Sequence, residues 1–140
     1  MPHAMATILV VDDDPAALKP MARLLKMEGH DVVCAENAIM AMATALNSRP
    51  NLILLDVAIP PMDGLTFLFL LRERPFGKDV PVIVISGRDD ARTMHRAREL
   101  GVHEYLVKSQ YKTSELLDLV RRYCPSPEET AAGEDVTSGA

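Results

Sequence analysis

Residues that could bind and transfer a phosphoryl group lie at the ends of four short apolar runs of the sequence. Asp12 and Asp13 come directly after the first run, and Asp56 comes directly after the second. Ser86 ends the third run, and Lys108 follows the fourth. Runs that are apolar on successive residues are typical of strands covered on both faces in a parallel sheet.

In a parallel sheet with right-handed crossovers, the carboxyl ends of the strands share one edge, so we expect these five side chains to meet there. Three carboxylates at one edge repel each other unless a cation joins them. Oxygen ligands at a partly open site favour Mg²⁺, which often bridges to a phosphoryl group. A lysine and a hydroxyl at the same place complete a pocket for a dianion. The residues therefore fit phosphoryl transfer, in which positioning and charge neutralisation supply most of the catalysis.

Strand and helix signals alternate along the chain from Thr7 to Tyr123. Apolar and β-branched runs indicate strands, apolar residues at helical spacing indicate helices, and Asp, Asn, Pro and Gly mark their ends. Pro20 is expected to kink the first helix without dividing it. Five strands alternating with five helices predict an α/β fold, an open parallel sheet with helices on both faces. The expected strands are 7–11, 31–35, 52–56, 81–86 and 105–107. The expected helices are 15–28, 38–48 and 64–74, a fourth from 90 or 91 to 100, and a fifth from 113 or 114 to 123.

Length and charge indicate one globular domain followed by an acidic segment. The chain has 140 residues and a net charge of −5. Residues 125–140 contain four acidic residues and no Lys or Arg, so the rest of the chain is close to neutral. No basic nucleic-acid footprint is visible, and we expect no direct nucleic-acid binding. We expect residues 1–6 to be a disordered or added start, 7–124 to form the domain, and 125–140 to be a flexible tail.

Apolar stretches and cysteines indicate a cytoplasmic location. No stretch of the sequence approaches the length needed to span a bilayer, and we expect neither a signal peptide nor membrane binding. Cys34 and Cys124 are far apart and match no metal spacing. We expect two free, buried thiols in a reducing compartment.

Four short motifs occur together in the order and spacing of a known family. They are Val10-Val11-Asp12-Asp13, Leu54-Leu55-Asp56 with Pro60 and Asp63-Gly64, Val84-Ile85-Ser86-Gly87, and Tyr105-Leu106-Val107-Lys108. With them, the chain from about Thr7 to Cys124 resembles the receiver domain of two-component response regulators. The resemblance implies a flavodoxin-like three-layer sandwich, whose five-stranded parallel sheet has the order 2-1-3-4-5 and is flanked by five helices.

The resemblance also implies a role for each residue at the sheet edge. Asp56 would take a phosphoryl group from a phosphohistidine of a sensor histidine kinase or phosphotransfer protein. Lys108 would pair with the phosphoryl oxygens. Ser86 would hydrogen-bond one of them and, by moving its loop, draw Tyr105 inward as a switch. Such a domain catalyses only its own phosphorylation and dephosphorylation.

A magnesium site is part of the same resemblance. Asp13 and Asp56 would bind Mg²⁺ directly, together with the backbone carbonyl of Ala58. Asp12 would hold the ion through a water molecule. The cofactor implied is therefore Mg²⁺.

Two features depart from the family pattern. The family usually has Lys-Pro where this chain has Lys108 and Ser109, so either the loop shifts or the site absorbs strain. In the third expected helix, a buried stripe of Leu65, Leu68 and Leu71 leaves Leu70 on the far side and Phe69 beside it. These two residues indicate a partner or homodimer surface outside the usual face of the fourth and fifth helices.

Two alternative functions remain open at this point. The first is a binding module of the same fold that ignores phosphate, against which Asp13, Asp56 and Lys108 argue. The second is a small phosphatase of the haloacid dehalogenase class with Asp12 as nucleophile, because residues 12–14 also read as Asp-x-Asp. That motif requires Thr or Val where Ala16 stands, and the chain has no room for a cap domain.

Overall fold

A computed structural model describes residues 6–59 and 63–124, and all ten expected elements are present there. The predicted starting segment, up to Met5, and the predicted tail from Pro125 lie outside the described residues. The elements in chain order are β1 (Thr7–Val11), α1 (Pro15–Met27), β2 (Asp31–Ala35), α2 (Ala38–Ser48), β3 (Leu52–Leu55), α3 (Gly64–Arg72), β4 (Val82–Ser86), α4 (Ala91–Glu99), β5 (Glu104–Val107) and α5 (Thr113–Tyr123).

The five strands form one parallel sheet in the order β2-β1-β3-β4-β5. Successive residues of a strand point to opposite faces, so β1 sends Leu9 and Val11 to one core and Ile8 and Val10 to another. The first core lies under α2, α3 and α4, and the second lies under α1 and α5. The prediction of a flavodoxin-like three-layer sandwich is therefore confirmed.

Short polar side chains start four of the five helices. Asp14, Asn37, Asp63 and Asp90 each accept a hydrogen bond from a backbone amide of the first turn that they precede. These bonds satisfy amides that have no partner within the helix. Pro20 lies inside α1, which is one continuous helix of 13 residues, as expected.

The structure corrects several details of the sequence-based expectation. Helix α3 ends two residues earlier than predicted, and Phe67, which was not placed in its buried stripe, is fully buried. Both cysteines are free, but Cys34 is exposed, so the prediction of a buried thiol is wrong there. Cys34 lies on β2, an edge strand with a neighbouring strand on one side only. Burial raises the pKa of the Cys124 thiol to about 11, as its predicted position in the core requires.

Arg72, at the end of α3, joins three connecting segments. Its guanidinium donates to the backbone carbonyls of Gly77 and Val80 in the α3–β4 connection, at 2.9 and 2.7 Å. It also donates to the carbonyls of Leu100 and Gly101 after α4, at 2.9 and 3.0 Å. Burial lowers the pKa of Arg72, while Asp79 opposes this shift. The planar guanidinium can serve all four carbonyls at once, which no other side chain can do.

No helix among residues 6–59 and 63–124 has the length and apolar character that crossing a membrane requires.

Replacing Arg72 is expected to destabilise the fold. Arg72→Ala leaves four carbonyls without their charged donor and should lower the free energy of unfolding by about 3 kcal/mol. Arg72→Lys restores the charge without the planar geometry and should recover only part of that loss. Urea denaturation measures both effects. Arg74→Ala is the control, because that exposed side chain should change stability by no more than about 0.5 kcal/mol. Equal losses for the Arg72→Ala and Arg74→Ala variants would contradict this role.

Candidate functional site

Asp12, Asp13 and Asp56 meet at the carboxyl ends of two neighbouring strands. Because β1 and β3 pair with Val11 opposite Leu55, the residues that follow them leave the sheet side by side. One carboxylate oxygen from each residue lies within 4.8 Å of the others. Asp12 and Asp56 are buried, whereas Asp13 is exposed to solvent. The expectation that these three residues come together is therefore met by the geometry.

Lys108 reaches the two buried carboxylates from β5. Its Nζ donates to Oδ2 of Asp12 at 2.7 Å and to Oδ2 of Asp56 at 2.9 Å. Its amide donates to the Ser86 carbonyl at 2.9 Å, which fixes where the side chain leaves the sheet. Burial by itself would lower the pKa of Lys108, but the hydrogen bonds and charges of Asp12 and Asp56 outweigh it and raise this pKa. The lysine is therefore a cation at neutral pH.

Backbone amides hold the second oxygen of each buried carboxylate. Asp56 Oδ1 accepts from the Ala58 amide at 2.8 Å, and Asp12 Oδ1 accepts from the Asp14 amide at 3.0 Å. Each carboxylate thus has one oxygen on an amide and one on Lys108. Ala58 contributes its amide to this bond, and the magnesium-binding role of its carbonyl stays a prediction.

The acidic group has the composition of a magnesium site. Three carboxylates and one ammonium leave two negative charges on the site, and the ligand atoms are all oxygens. Hard oxygen ligands and excess negative charge at a partly exposed position suit Mg²⁺ better than Zn²⁺, which prefers nitrogen and sulfur. The residues present therefore fit the predicted cofactor.

Gly64 brings the start of α3 against the backbone that carries Asp56. Its amide donates to the Val57 carbonyl at 2.9 Å. A Cβ atom at Gly64 would lie 2.5 Å from Val57 Cα and 2.8 Å from the Asp56 carbonyl oxygen. Since both neighbours are backbone atoms, no side chain can be added at residue 64 unless the loop after Asp56 moves.

Ser86 and Tyr105, the two predicted switch residues, both contact Arg88. Ser86 is fully buried, and its Oγ accepts from the Arg88 amide at 3.3 Å. The hydroxyl of Tyr105 donates to the Arg88 carbonyl at 2.7 Å. The guanidinium of Arg88 lies 3.5 Å from the carboxylate of Asp63, which caps α3. Burial, together with the carboxylate of Asp90, raises the pKa of the Tyr105 hydroxyl.

Arg88 is the residue of this region that the sequence analysis missed. Its side chain resembles any surface arginine in the sequence, and the only available signal was its place two residues after Ser86. Through Arg88, the β4–α4 loop is joined both to β5 and to the start of α3.

Ser109, which stands where the family usually has proline, has a left-handed backbone with φ of 71°. Proline cannot adopt this conformation because its ring fixes φ near about −65°. The backbone after Lys108 therefore differs from that of a loop with proline at residue 109. The lysine nevertheless reaches both buried carboxylates.

The site opens beside a cavity of about 410 Å³ between α1 and the β5–α5 connection. Asp12, Asp56 and Lys108 lie in its wall together with apolar residues of α1, among them Pro20 and Met21. A reacting group can therefore approach carboxylates that are themselves almost completely covered.

Comparison with known proteins identifies the family. A family model described as the response regulator receiver domain matches residues 8–121. The chain belongs to the response regulator receiver domain family. This receiver domain is 35% identical over 114 residues to the response regulator MprA of Mycobacterium sp. (strain KMS), covering 81% of the chain and 48% of MprA. It therefore spans about half the length of that relative.

Two solved structures resemble the receiver domain closely. One is the chemotaxis protein CheY4 of Vibrio cholerae, with 27% identity, a TM-score of 0.79, and 86% of this chain and 99% of that chain covered. The other is the receiver domain of the sensor histidine kinase PA1611 from Pseudomonas aeruginosa, which has a magnesium ion coordinated in its active-site cleft. It is 26% identical with a TM-score of 0.77, and 86% of this chain and 98% of that chain are covered.

These comparisons confirm the predicted family and the predicted fold. The receiver domain is a phosphoacceptor module of two-component signalling, and its family is one of signalling proteins rather than a classical enzyme family. The haloacid dehalogenase alternative is wrong. Asp14, the second aspartate of that motif, caps α1 through the Ala16 amide and does not join the acidic group.

Adding a methyl group at Gly64 is expected to impair the site. Gly64→Ala should lower the free energy of unfolding by about 1–3 kcal/mol, because backbone atoms must move apart. It should also slow the transfer of a phosphoryl group from acetyl phosphate to the protein, because the displaced segment carries Asp56, the expected acceptor. Gly87→Ala is the matched control, since a Cβ atom there meets nothing within 4 Å. Both variants are compared by urea denaturation and initial labelling rate, and similar results for the two would show that the close approach at Gly64 is unimportant.

Proline at residue 109 is expected to be harmful, although it is usual in the family. Ser109→Pro should lower the free energy of unfolding by more than about 1 kcal/mol, because the native φ is inaccessible to proline. Ser109→Gly should be tolerated, since glycine adopts positive φ without steric cost. Urea denaturation of the two variants beside the parent tests this expectation. A proline variant as stable as the parent would rule out the left-handed backbone at this position.

Proposed function

We propose that Asp56 is the phosphoacceptor of this receiver domain. The observation that carries the proposal is its position directly after β3, the central strand. The carboxylates of β1 lie on one side of it, and Ser86 and Lys108 arrive from β4 and β5 on the other. Asp12 also contacts Lys108, but it lies farther from β4 in the strand order.

The proposed donor is a phosphohistidine of a sensor histidine kinase or of a phosphotransfer protein. A carboxylate oxygen of Asp56 forms a new bond to phosphorus as the phosphorus–nitrogen bond breaks, and the released imidazole takes up a proton. The cavity beside α1 gives the donor a path to the carboxylate. The downstream target is a protein contacted through the surface of the domain.

Mg²⁺ is the proposed cofactor of this step. Asp13, Asp56 and the Ala58 carbonyl would bind it, with Asp12 acting through a water molecule. Support comes from the clustered carboxylates and from the magnesium ion in the cleft of the related PA1611 domain. When bound, the ion supplies positive charge to the oxygens of the transferring phosphoryl group.

Lys108 is proposed to neutralise the phosphoryl group once it is in place. The ammonium already lies 2.9 Å from Asp56, so its pairing can pass from the carboxylates to the new phosphoryl oxygens with a small movement. The raised pKa of Lys108 keeps its side chain charged while it pairs with Asp12 and Asp56. Lysine therefore acts as a fixed source of positive charge and transfers no proton.

Ser86 and Tyr105 are proposed to transmit phosphorylation to the surface. A hydrogen bond from Ser86 Oγ to a phosphoryl oxygen would reposition the residue and disturb its present contact with the Arg88 amide. The Arg88 carbonyl holds Tyr105, and the Arg88 side chain holds Asp63, so both contacts would respond. Phosphorylation would therefore change contacts at two places, one at β5 and one at the start of α3.

The cysteines and the family bear on the cellular setting of the domain. We expect it to act in the cytoplasm, where the two free thiols stay reduced. We expect it to turn over no separate substrate and to catalyse only its own phosphorylation and dephosphorylation. The alternative is a receiver-like binding module that ignores phosphate.

Chemical labelling tests the acceptor assignment. The protein is incubated with Mg²⁺ and acetyl phosphate, and the added phosphoryl group is located by peptide mass spectrometry. We expect one label, on Asp56, which is absent in Asp56→Asn and absent when a chelator removes Mg²⁺. Lys108→Gln should slow labelling by at least about tenfold, because one charge-stabilising group is lost.

The controls separate the possible failures. Asp14→Asn is the matched control, because that carboxylate is near the site in sequence but caps α1. It should be labelled at the rate of the parent. A label on Asp12 would overturn the assignment of Asp56, and the absence of any label, also with phosphorylated kinase, would favour the phosphate-independent binding module.

A further inference from the structure

Helices α2 and α3 together present an apolar outer face that the phosphoryl site does not use. Six large apolar side chains are exposed in the described part of the chain, and five of them belong to these two helices. We call this the α2–α3 face. Its exposed members are Ile39, Leu46 and Leu70, whereas Phe69 lies beside the charged residues Arg72, Glu73 and Lys78.

The α2–α3 face is also free of charge. None of the 11 residues of α2 is charged, and the only charged residue of α3 is Arg72 at its end, which is bound to backbone carbonyls. A surface helix ordinarily carries charged residues on the side away from the core. An uncharged and contiguous apolar surface instead marks a site of protein contact.

A groove runs between the two helices and has a volume of about 350 Å³. Its lining residues are all apolar, with Ile39, Met42, Ala43 and Leu46 on the α2 side and Leu70 on the α3 side. Ile39, Ala43 and Leu46 follow one another at spacings of four and three residues and so lie on one side of α2. The small side chain of Ala43 between two larger ones lets another helix approach closely.

We propose that the α2–α3 face binds the same face of a second copy of this chain, with the two α2 helices antiparallel about a two-fold axis. The charges at the ends of α2 point to this occupant. Glu36 precedes the helix and Arg49 ends it, and both are exposed. Neither forms an ion pair within residues 6–59 and 63–124.

An antiparallel pair about the middle of α2 makes use of both charges. It places Glu36 opposite the partner's Arg49 and Ile39 opposite the partner's Leu46. Both pairs are centred on the same point of the chain, between Met42 and Ala43. A two-fold interface needs a surface that is complementary to itself, and one apolar stripe with opposite charges at its two ends meets this condition.

The segment after Cys124 is a poorer occupant of the groove. Residues 125–140 contain four acidic residues and one large apolar residue, Val136. Such a segment cannot cover several exposed apolar side chains, and it would bring acidic groups next to them. A second copy can also pair its own unlike charges with those at the ends of α2, whereas an unrelated apolar helix lacks these charges.

Sedimentation velocity of the 140-residue chain tests self-association without any phosphoryl donor, so a failure of the proposed phosphoacceptor role cannot affect the result. We expect reversible dimers at micromolar to submillimolar concentration. Leu46→Glu and Ile39→Glu should each weaken the dimer by at least about tenfold. Met27→Glu is the matched control, because Met27 on α1 is 77% exposed but lies outside the face, and it should leave the dimer unchanged. Far-UV circular dichroism verifies that each variant is folded.

A charge exchange distinguishes a second copy in this arrangement from other modes of association. Glu36→Arg and Arg49→Glu should each weaken self-association, because each places like charges opposite one another. A mixture of these two variants should form mixed dimers, since both opposing pairs are then of unlike charge. A chain that stays monomeric at every concentration, or loses as much association in Met27→Glu as in Leu46→Glu, would overturn the proposal. A parent dimer without mixed dimers would overturn the antiparallel two-fold arrangement.

Discussion

Two buried carboxylates, those of Asp12 and Asp56, share the ammonium group of Lys108, and this contact sets the requirements for the rest of the fold. Acidic groups at adjacent strand ends repel each other and lose hydration when covered, so a nearby cation must compensate them. The lysine is 96 residues from one carboxylate and 52 from the other. Only a sheet that brings β1, β3 and β5 to the same edge can unite them. The parallel topology is therefore a condition for the charge balance as well as for the core.

The same edge connects the acidic group to the surface through backbone contacts. Gly64 packs on the segment that carries Asp56, and the β4–α4 loop meets both Ser86 and Tyr105 at Arg88. Because Arg88 also approaches Asp63 at the start of α3, a change near Ser86 has short physical routes to β5 and to α3. These connections are hydrogen bonds, one exposed ion pair and one steric contact.

Sequence patterns predicted some surfaces of this domain better than others. Phe69 and Leu70 fall outside the buried stripe of α3 by helical spacing, and both are exposed. Helix α2 gave no such indication, because its apolar residues extend around the helix and the pattern does not say which side faces the core. Ala38, Ala41 and Ala45 in fact face the core, and the larger Ile39 and Leu46 face outward. Small side chains toward the core and large apolar ones toward solvent are consistent with a protein contact on the outer side of α2.

Local features of the sequence were sufficient for the element order, the α/β fold class and the identity of the residues at the sheet edge. They were sufficient because strand and helix periodicity, capping side chains and glycine stops act over a few residues. The exposed side chain of Cys34, the four carbonyl contacts of Arg72 and the meeting of three elements at Arg88 depended on segments distant in the chain. The left-handed backbone at Ser109 likewise became visible only in the structure, since serine has no intrinsic preference for it. Tertiary packing decided these features because each requires atoms from elements whose relative positions no local pattern specifies.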